Sequence, residues 1–499
     1  MQEALRIFRK DVRHLWPRLI PLLVVAALMG TVECVPFVVN PLLETLRGLW
    51  LLCAAFLTVS VIQQEALPGH RQYWLTRPFH RGHLFLGKAL FLAAFAALPI
   101  LIVEAVSVLV NGMPLWRHTP LLLVSTLVFT GGACALAAAL ASVTESLSHF
   151  LWGFLSSIGL VIVGAVLESR SGLAGGWGGL EWIRNLSVGV VVVGAALTVL
   201  LLQYARRKTA ASRAILGAAI LFAAAAPFMG SWHGAWTLET RQSGGPIDAS
   251  AAHMAFDPSG RNVPGFADAA RSPGPGQAGI NLPVLLAGIP EGHQVVCEGI
   301  SARIDAPGAV FRSAGWTRQG GLYRAVSLED PDVIPADGPY WEYVNVDAGF
   351  YEAVKNTPVH VHTTVALTLL GARKSVPLAT REQNSSSTGD GKCQVMPGFF
   401  GRLLVTCAWL GRAPARSYVT AVLATNGQRF TSLISAGDRG PFPLNGSVWW
   451  RDTTLFGPPP PTHEMNLETW EAVAHFERDL DVPQVRLADY AARRITDLP

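Results

Sequence analysis

Apolar runs succeed one another through the first ~230 residues, each close to the ~20 residues that cross a bilayer core. They fall at Leu19–Val39, Leu46–Ile62, Leu84–Val110, Leu121–Leu140, Leu147–Leu167, Leu186–Leu202 and Ala214–Met229, the last short and rich in Ala. The first run does not read as a cleavable signal peptide. It lacks a small-residue cleavage pattern, and Glu33, Pro36 and Asn40 lead directly toward the next run. Hydrophobic residues are 50% of the chain and charged residues 15%, with a mean hydropathy of +0.34, high for a purely soluble protein. Near residue 230 the composition turns to Gly, Pro, Ser, Asp and Arg with short alternating runs. The expected fold is a polytopic α-helical membrane domain of six to seven transmembrane helices, followed by a mainly β soluble domain built as an antiparallel sandwich. A net charge of +4 is too small to imply a nucleic-acid partner, and its basic residues cluster beside apolar runs.

Those clusters orient the helices. Arg6, Arg9, Lys10, Arg13 and Arg18 precede the first run, Arg71, Arg77 and Arg81 lie between the second and third with Lys88 just inside the third, and Arg206, Arg207, Lys208 and Arg213 lie between the sixth and seventh. The alternate loops, Asn40–Thr45, Asn111–Pro120 and Glu168–Asn185, are poor in Lys and Arg by comparison. Positive residues favour the cytoplasm, so the N-terminus is expected inside and, if the seventh run spans, residues 231–499 outside.

The loop Gln63–Lys88 is too basic to cross a bilayer and too apolar for a plain connector. Pro68 and Pro78 stiffen it, Trp74, Leu75 and Phe79 offer compact anchors for a partner's groove, and Arg71, Arg77 and Arg81 offer charges for acidic groups on that partner. The plainer alternative is interface aromatics with arginines obeying the positive-inside rule. Ahead of the first run, Leu5, Ile7, Phe8, Val12, Leu15 and Trp16 recur at helical spacing among Arg6, Arg9, Lys10 and Arg13. That pattern suits an amphipathic helix over 1–18 lying in the headgroup layer, and equally a basic flank that orients the first span.

An N-terminal interfacial helix, successive spans and the stretch Tyr73-Trp74-Leu75-Thr76-Arg77-Pro78-Phe79, followed by Arg81, Leu84 and Gly87-Lys88, resemble the permease subunit of bacterial ABC-2-type transporters. The resemblance covers roughly Met1–Leu202; the seventh run and the long tail depart from the minimal family pattern. It implies that Arg71, Trp74, Leu75, Arg77, Phe79 and Arg81 contact a separate ATP-binding cassette subunit. It also implies that permeases pair as a homodimer or heterodimer in the inner membrane, and that ATP is hydrolysed elsewhere than in this chain. Gly82–Ala89 imitates G-x-x-x-x-G-K, yet it has Ala89 where a phosphate loop needs Ser or Thr and opens an apolar run with no strand before it. It is read as chance.

Ionisable residues inside apolar runs are functional candidates because charge in a bilayer is costly. Glu33 and Glu104 are candidates for a translocation path, whereas Lys88, Glu145 and Glu168 are expected near interfaces. Cys34, Cys53 and Cys134 read as small apolar residues of the spans; in the tail, Cys393–Cys407 is the favoured disulfide, with no disulfide as the alternative.

In the tail, strands are expected at Val284–Leu286, Gln294–Ile304, Leu322–Val326, Val359–Leu370, Leu403–Trp409, Ser417–Leu423 and Arg429–Ile434. The chain divides into 1–18, a transmembrane domain 19–230, an extracytoplasmic β-rich domain 231–455, and 456–499. The last part reads as a proline-rich linker and two helices, Leu467–Leu480 after an Asn466 cap and Val485–Ile495. His360 and His362, two apart, share a strand face; no third ligand is evident, so no metal and no cofactor are expected. Nothing arranges Ser, His and Asp for catalysis. The expected function is a transport permease subunit rather than an enzyme; the alternative is a membrane sensor or scaffold whose β-domain binds an envelope ligand.

Overall fold

The computed structural model describes residues 2–34, 40–64, 81–170, 181–228, 232–242, 251–258, 276–290, 292–313, 316–321, 340–377, 385–387, 391–397, 403–410, 417–425, 428–435, 449–456 and 464–491. The helices are α1 (Gln2–Glu33), α2 (Asn40–Gln63), α3 (Arg81–Leu92), α4 (Leu98–Val110), α5 (Leu115–Ser125), α6 (Gly132–Val143), α7 (Leu147–Arg170), α8 (Glu181–Arg206), α9 (Thr209–Ala225), α10 (Trp232–Gln242) and α11 (Ala348–Val354). Single π-helical stretches, Ala93–Ala97 and Thr126–Gly131, join α3 to α4 and α5 to α6.

Among the described residues, six helical segments are long and apolar enough to cross a membrane: Gln2–Glu33, Thr45–Gln63, Gly82–Val110, Leu115–Val143, Leu147–Leu167 and Ile183–Arg206. The seventh run forms α9, whose 17 residues reach about 25 Å and fall short of the others. The outward faces are apolar, as lipid requires: α7 exposes Leu151, Trp152, Leu155, Ile158, Val161 and Ile162. Inside, buried Ala137, Ala138, Ala139 and Ala141 let α6 pack closely against α2 and α8.

The expected boundary at residue 18 is absent. One helix runs from Gln2 to Glu33 through Pro17 and Pro21, because Ala4, Ile7, Asp11, Leu15, Leu19, Leu22, Val25, Ala26 and Met29 form one continuous buried stripe. Ile7 packs with Val59, Ile62 and Leu84, so this first part of α1 is a member of the bundle.

Hydrogen bonds gather the basic segments at one end of the bundle. Glu3 of α1 meets His83 of α3 at 2.6 Å, and Gln63 at the end of α2 donates to Thr144 after α6 at 3.3 Å. Arg213, just after the α8–α9 turn, donates twice to the Val143 carbonyl. That turn is tight enough to hold Arg207 at φ 52°.

Among the described residues, fourteen strands follow: β1 (His253–Phe256), β2 (Gln277–Ala287), β3 (Gln294–Ala306), β4 (Ala309–Arg312), β5 (Thr317–Gly321), β6 (Tyr340–Asp347), β7 (Pro358–Pro377), β8 (Ser385–Ser387), β9 (Gly391–Pro397), β10 (Leu403–Leu410), β11 (Ser417–Thr425), β12 (Gln428–Ser435), β13 (Trp449–Phe456) and β14 (Glu464–Arg486). They make antiparallel sheets ordered β1-β2-β6, β13-β10-β9-β8 and β12-β11-β14-β7-β3-β4, with β5 also on β3. The first and third pack face to face. Ile280, Leu282, Val284, Val344 and Val346 of one meet Val295, Ile300, Ile304, Val359, Val361, Val365 and Leu367 of the other. The chain is thus a helical membrane domain followed by an antiparallel β domain.

The expected C-terminal helix Leu467–Leu480 is instead the body of β14, and Val485–Ile495 contributes only the strand's end and a 3₁₀ turn, Leu487–Tyr490, within the described residues. Glu471, Ala472 and Glu477 favour helix in isolation; pairing with β7 along the strand, and with β11 as far as Glu471, decides for strand. Asn466, the expected cap, lies opposite Pro377 and Val422 in that sheet. The β domain therefore extends past 455 to include β14. The expected strand Leu322–Val326 and most of the proline-rich linker lie outside the described residues.

Cys393 and Cys407 sit directly opposite on β9 and β10 and are joined as a disulfide; Cys297 is buried in the sandwich core. The bridge closes a loop of 14 residues, so Cys393→Ser is expected to destabilise the β domain by about 3 kcal/mol, read as a lower denaturant midpoint. An unchanged midpoint would show that the bridge adds no constraint.

Candidate functional site

Among the described residues, two buried charged clusters cross the helical bundle. The first binds α1, α3 and α2 together. Lys88 Nζ lies 3.1 Å from Asp11 Oδ2 and donates to the Val61 carbonyl at 2.8 Å, with both charged side chains essentially sealed from solvent. Lys88, expected near an interface with easy hydration, is thus buried and neutralised. Gly87 beside it explains how: a Cβ there would stand 3.0 Å from the Ala4 carbonyl and 3.1 Å from Ile7 Cβ. Those contacts are tighter than ordinary packing, so glycine favours the close approach of α1 and α3 beside the pair. The whole G-x-x-x-x-G-K run is helical, so it makes no phosphate cradle.

The second cluster lies nearer the opposite end. Glu33, the last residue of α1, pairs with Arg47 Nη2 of α2, and both are buried. Glu104 of α4 is buried within electrostatic range of both, and Thr126 donates to its Oε2 at 3.4 Å. Ser107, one turn after Glu104, donates to the Glu33 carbonyl at 2.8 Å. The two candidate path residues, far apart in sequence, are therefore neighbours. Arg47 was the missing member; the signal available was one arginine just inside the second apolar run. Glu33 Oε2 and Arg47 Nε are buried without a hydrogen-bond partner among the described residues.

Of the expected coupling residues, Arg71, Trp74, Leu75, Arg77 and Phe79 lie outside the described residues, and Arg81 begins α3. What is described is the footing of their loop, held at Gln63 on one side and at His83 and Lys88 on the other.

The β domain joins the bundle through aromatic rings. Trp232 of α10 stacks on Trp316 with centroids 3.6 Å apart and on Trp236 at 5.0 Å, and Ala366 of β7 and Ile183 of α8 pack against them. Ile183 lies in the first turn of α8, at the end of the bundle away from the basic segments. Trp236 meets His475 of β14 edge-on at 5.3 Å. His475 Nδ1 is 2.7 Å from Thr368 Oγ1, which donates to Glu298 at 2.9 Å, a chain of polar groups the sequence did not reveal. Glu298 reaches it from a β-bulge between Cys297 and Gly299.

On the same face of β7, His360 Nε2 lies 2.5 Å and His362 Nδ1 2.8 Å from Asp481 Oδ1 of β14. The two histidines share a face as expected, and Asp481 supplies the third donor that was not evident. Inside the sandwich, Glu342 of β6 is fully buried and accepts from Thr363 at 3.1 Å; burial pushes its carboxyl up to about 8, offset in part by that hydrogen bond.

Compared with known proteins, the chain matches no family model and no curated sequence.

Proposed function

We propose that the chain is the membrane-spanning permease subunit of an ABC-2-type, ATP-driven transporter, coupled through loop 63–88 to a separate ATP-binding subunit. The observation that carries this is the footing of the loop. Its flanks are tied to α1, α2 and α6 by Gln63–Thr144, Glu3–His83 and the buried Lys88–Asp11 pair, so a push on the loop moves several helices as one. A solvated connector needs no such anchorage.

Sidedness follows the same ends. The basic segments gathered by Glu3–His83, Gln63–Thr144 and Arg213–Val143 belong to the cytoplasmic face under the positive-inside rule. The β domain, meeting Ile183 at the other end and carrying the Cys393–Cys407 disulfide, belongs to an oxidising extracytoplasmic compartment. The buried Glu33–Arg47–Glu104 cluster then lies nearer that outer side, where the unpartnered Glu33 Oε2 and Arg47 Nε suit a polar solute or water on a path.

Trp74→Ala or Arg77→Glu is expected to abolish ATP-driven transport in reconstituted vesicles while circular dichroism shows the helices intact. Full transport by both variants would contradict coupling through this loop. The sensor reading draws on the tryptophan stack, a stiff joint that would carry ligand occupancy of the β domain into α8; it predicts a functional protein with no ATPase partner.

A further inference from the structure

We propose that the outer face of the seven-stranded sheet carries a binding site for a divalent first-row transition ion of the zinc class, formed by His360, His362 and Asp481, with Asp305 alongside. The placement comes from strand register. His360 and His362 alternate outward from β7 between the inward Val359, Val361 and Thr363. Asp481 of β14 lies directly opposite His362, and Asp305 of β3 directly opposite His360. Two imidazoles and two carboxylates from three adjacent strands thus share one face.

The donor atoms converge. One ligand atom from each of His360, His362 and Asp481 lies within 4.8 Å of the others, and the two imidazole rings stand 4.1 Å apart. Asp305 Oδ2 is 3.8 Å from His362 Nε2, and Arg303 holds its other oxygen at 2.9 Å. An ion between the imidazoles and Asp481 would replace hydrogen bonds from two rings to a single oxygen with three coordinate bonds.

The chemistry of the donors selects the ion. Neutral imidazoles with one carboxylate suit Zn2+ and its neighbours; Mg2+ and Ca2+ prefer all-oxygen sets. A three-donor set on an open face leaves a coordination position for water or an anionic ligand. The strands supply rigidity, since β7 is central in the sheet with β14 and β3 hydrogen-bonded on either side. The site also lies roughly 13 Å along β7 from Ala366, where α10 docks, so an ion there would brace the face that joins the β domain to the bundle.

The test uses the full-length protein in detergent, carrying no histidine tag, stripped with a chelator and titrated with Co2+ and then Zn2+. One equivalent of Co2+ is expected to give the strong visible absorption of a low-symmetry site, which Zn2+ abolishes by displacement. The double variant His360→Gln/His362→Gln, and separately Asp481→Asn, are each expected to weaken Zn2+ binding about tenfold or more. All three side chains are at least partly exposed, so metal-free thermal unfolding is expected to match the wild type and to separate loss of binding from loss of fold. Wild-type protein that binds neither ion overturns the proposal, as does undiminished binding by either variant.

Discussion

Glu342→Gln is expected to remove most of the pH dependence of β-domain stability between pH 5 and 9. In the wild type the folded carboxyl titrates at about 8 and the unfolded one near 4.5, because Glu342 is sealed between the two sheets, with the Thr363 hydroxyl as its hydrogen-bond partner among the described residues. Its folded pKa is raised, so its contribution is fully present below the unfolded value and is lost as pH rises toward the folded one. Over that interval the fold loses roughly 5 kcal/mol, about 1.36 kcal/mol for each unit separating the two values. Gln keeps an acceptor for Thr363 without the charge. Chemical denaturation at pH 5 and pH 9 checks this: the wild-type midpoint should fall steeply and the variant's should stay nearly level. Equal pH dependence in both would show that Glu342 is not the group responsible.

Arg47→Leu is expected to destabilise the helical bundle by about 3–5 kcal/mol, because it leaves the buried Glu33 carboxylate beside Glu104 with no cation between them. A second substitution, Glu33→Gln, is expected to restore much of the loss, since the remaining site then buries one carboxyl rather than two. Thermal aggregation in detergent reads both. If Arg47→Leu alone behaves like the wild type, the pair is not an electrostatic keystone. If the double variant is no better than the single one, the cost lies in packing around Arg47 and not in uncompensated charge.

What the sequence could show follows from how local each signal is. Long apolar runs announce membrane helices because the requirement is one of length and composition alone, and alternation marks β3, β7, β10, β11 and β12. The body of β14 was hidden because Glu, Ala and Leu in Leu467–Leu480 carry a helical pattern that only the flanking strands overrule. The continuity of α1 was hidden because Arg6, Arg9, Lys10 and Arg13 look like a border, whereas Asp11 and its distant partner Lys88 are what hold that segment in the bundle. Glu33 and Glu104 stood out by their own charge; their nearness to each other through Arg47 is a tertiary fact. Asp481 sits 121 residues from His360, so only strand register brings it to the histidine pair.

If loop 63–88 receives force from an ATP-binding subunit, as proposed, gentle detergent purification from the native membrane should recover that subunit. The wild type is expected to bring with it a nucleotide-binding protein in stoichiometric amount, and Arg77→Glu is expected to lose that protein while the helical bundle stays folded. Repeated purification of the intact wild-type protein with no nucleotide-binding partner would contradict the account.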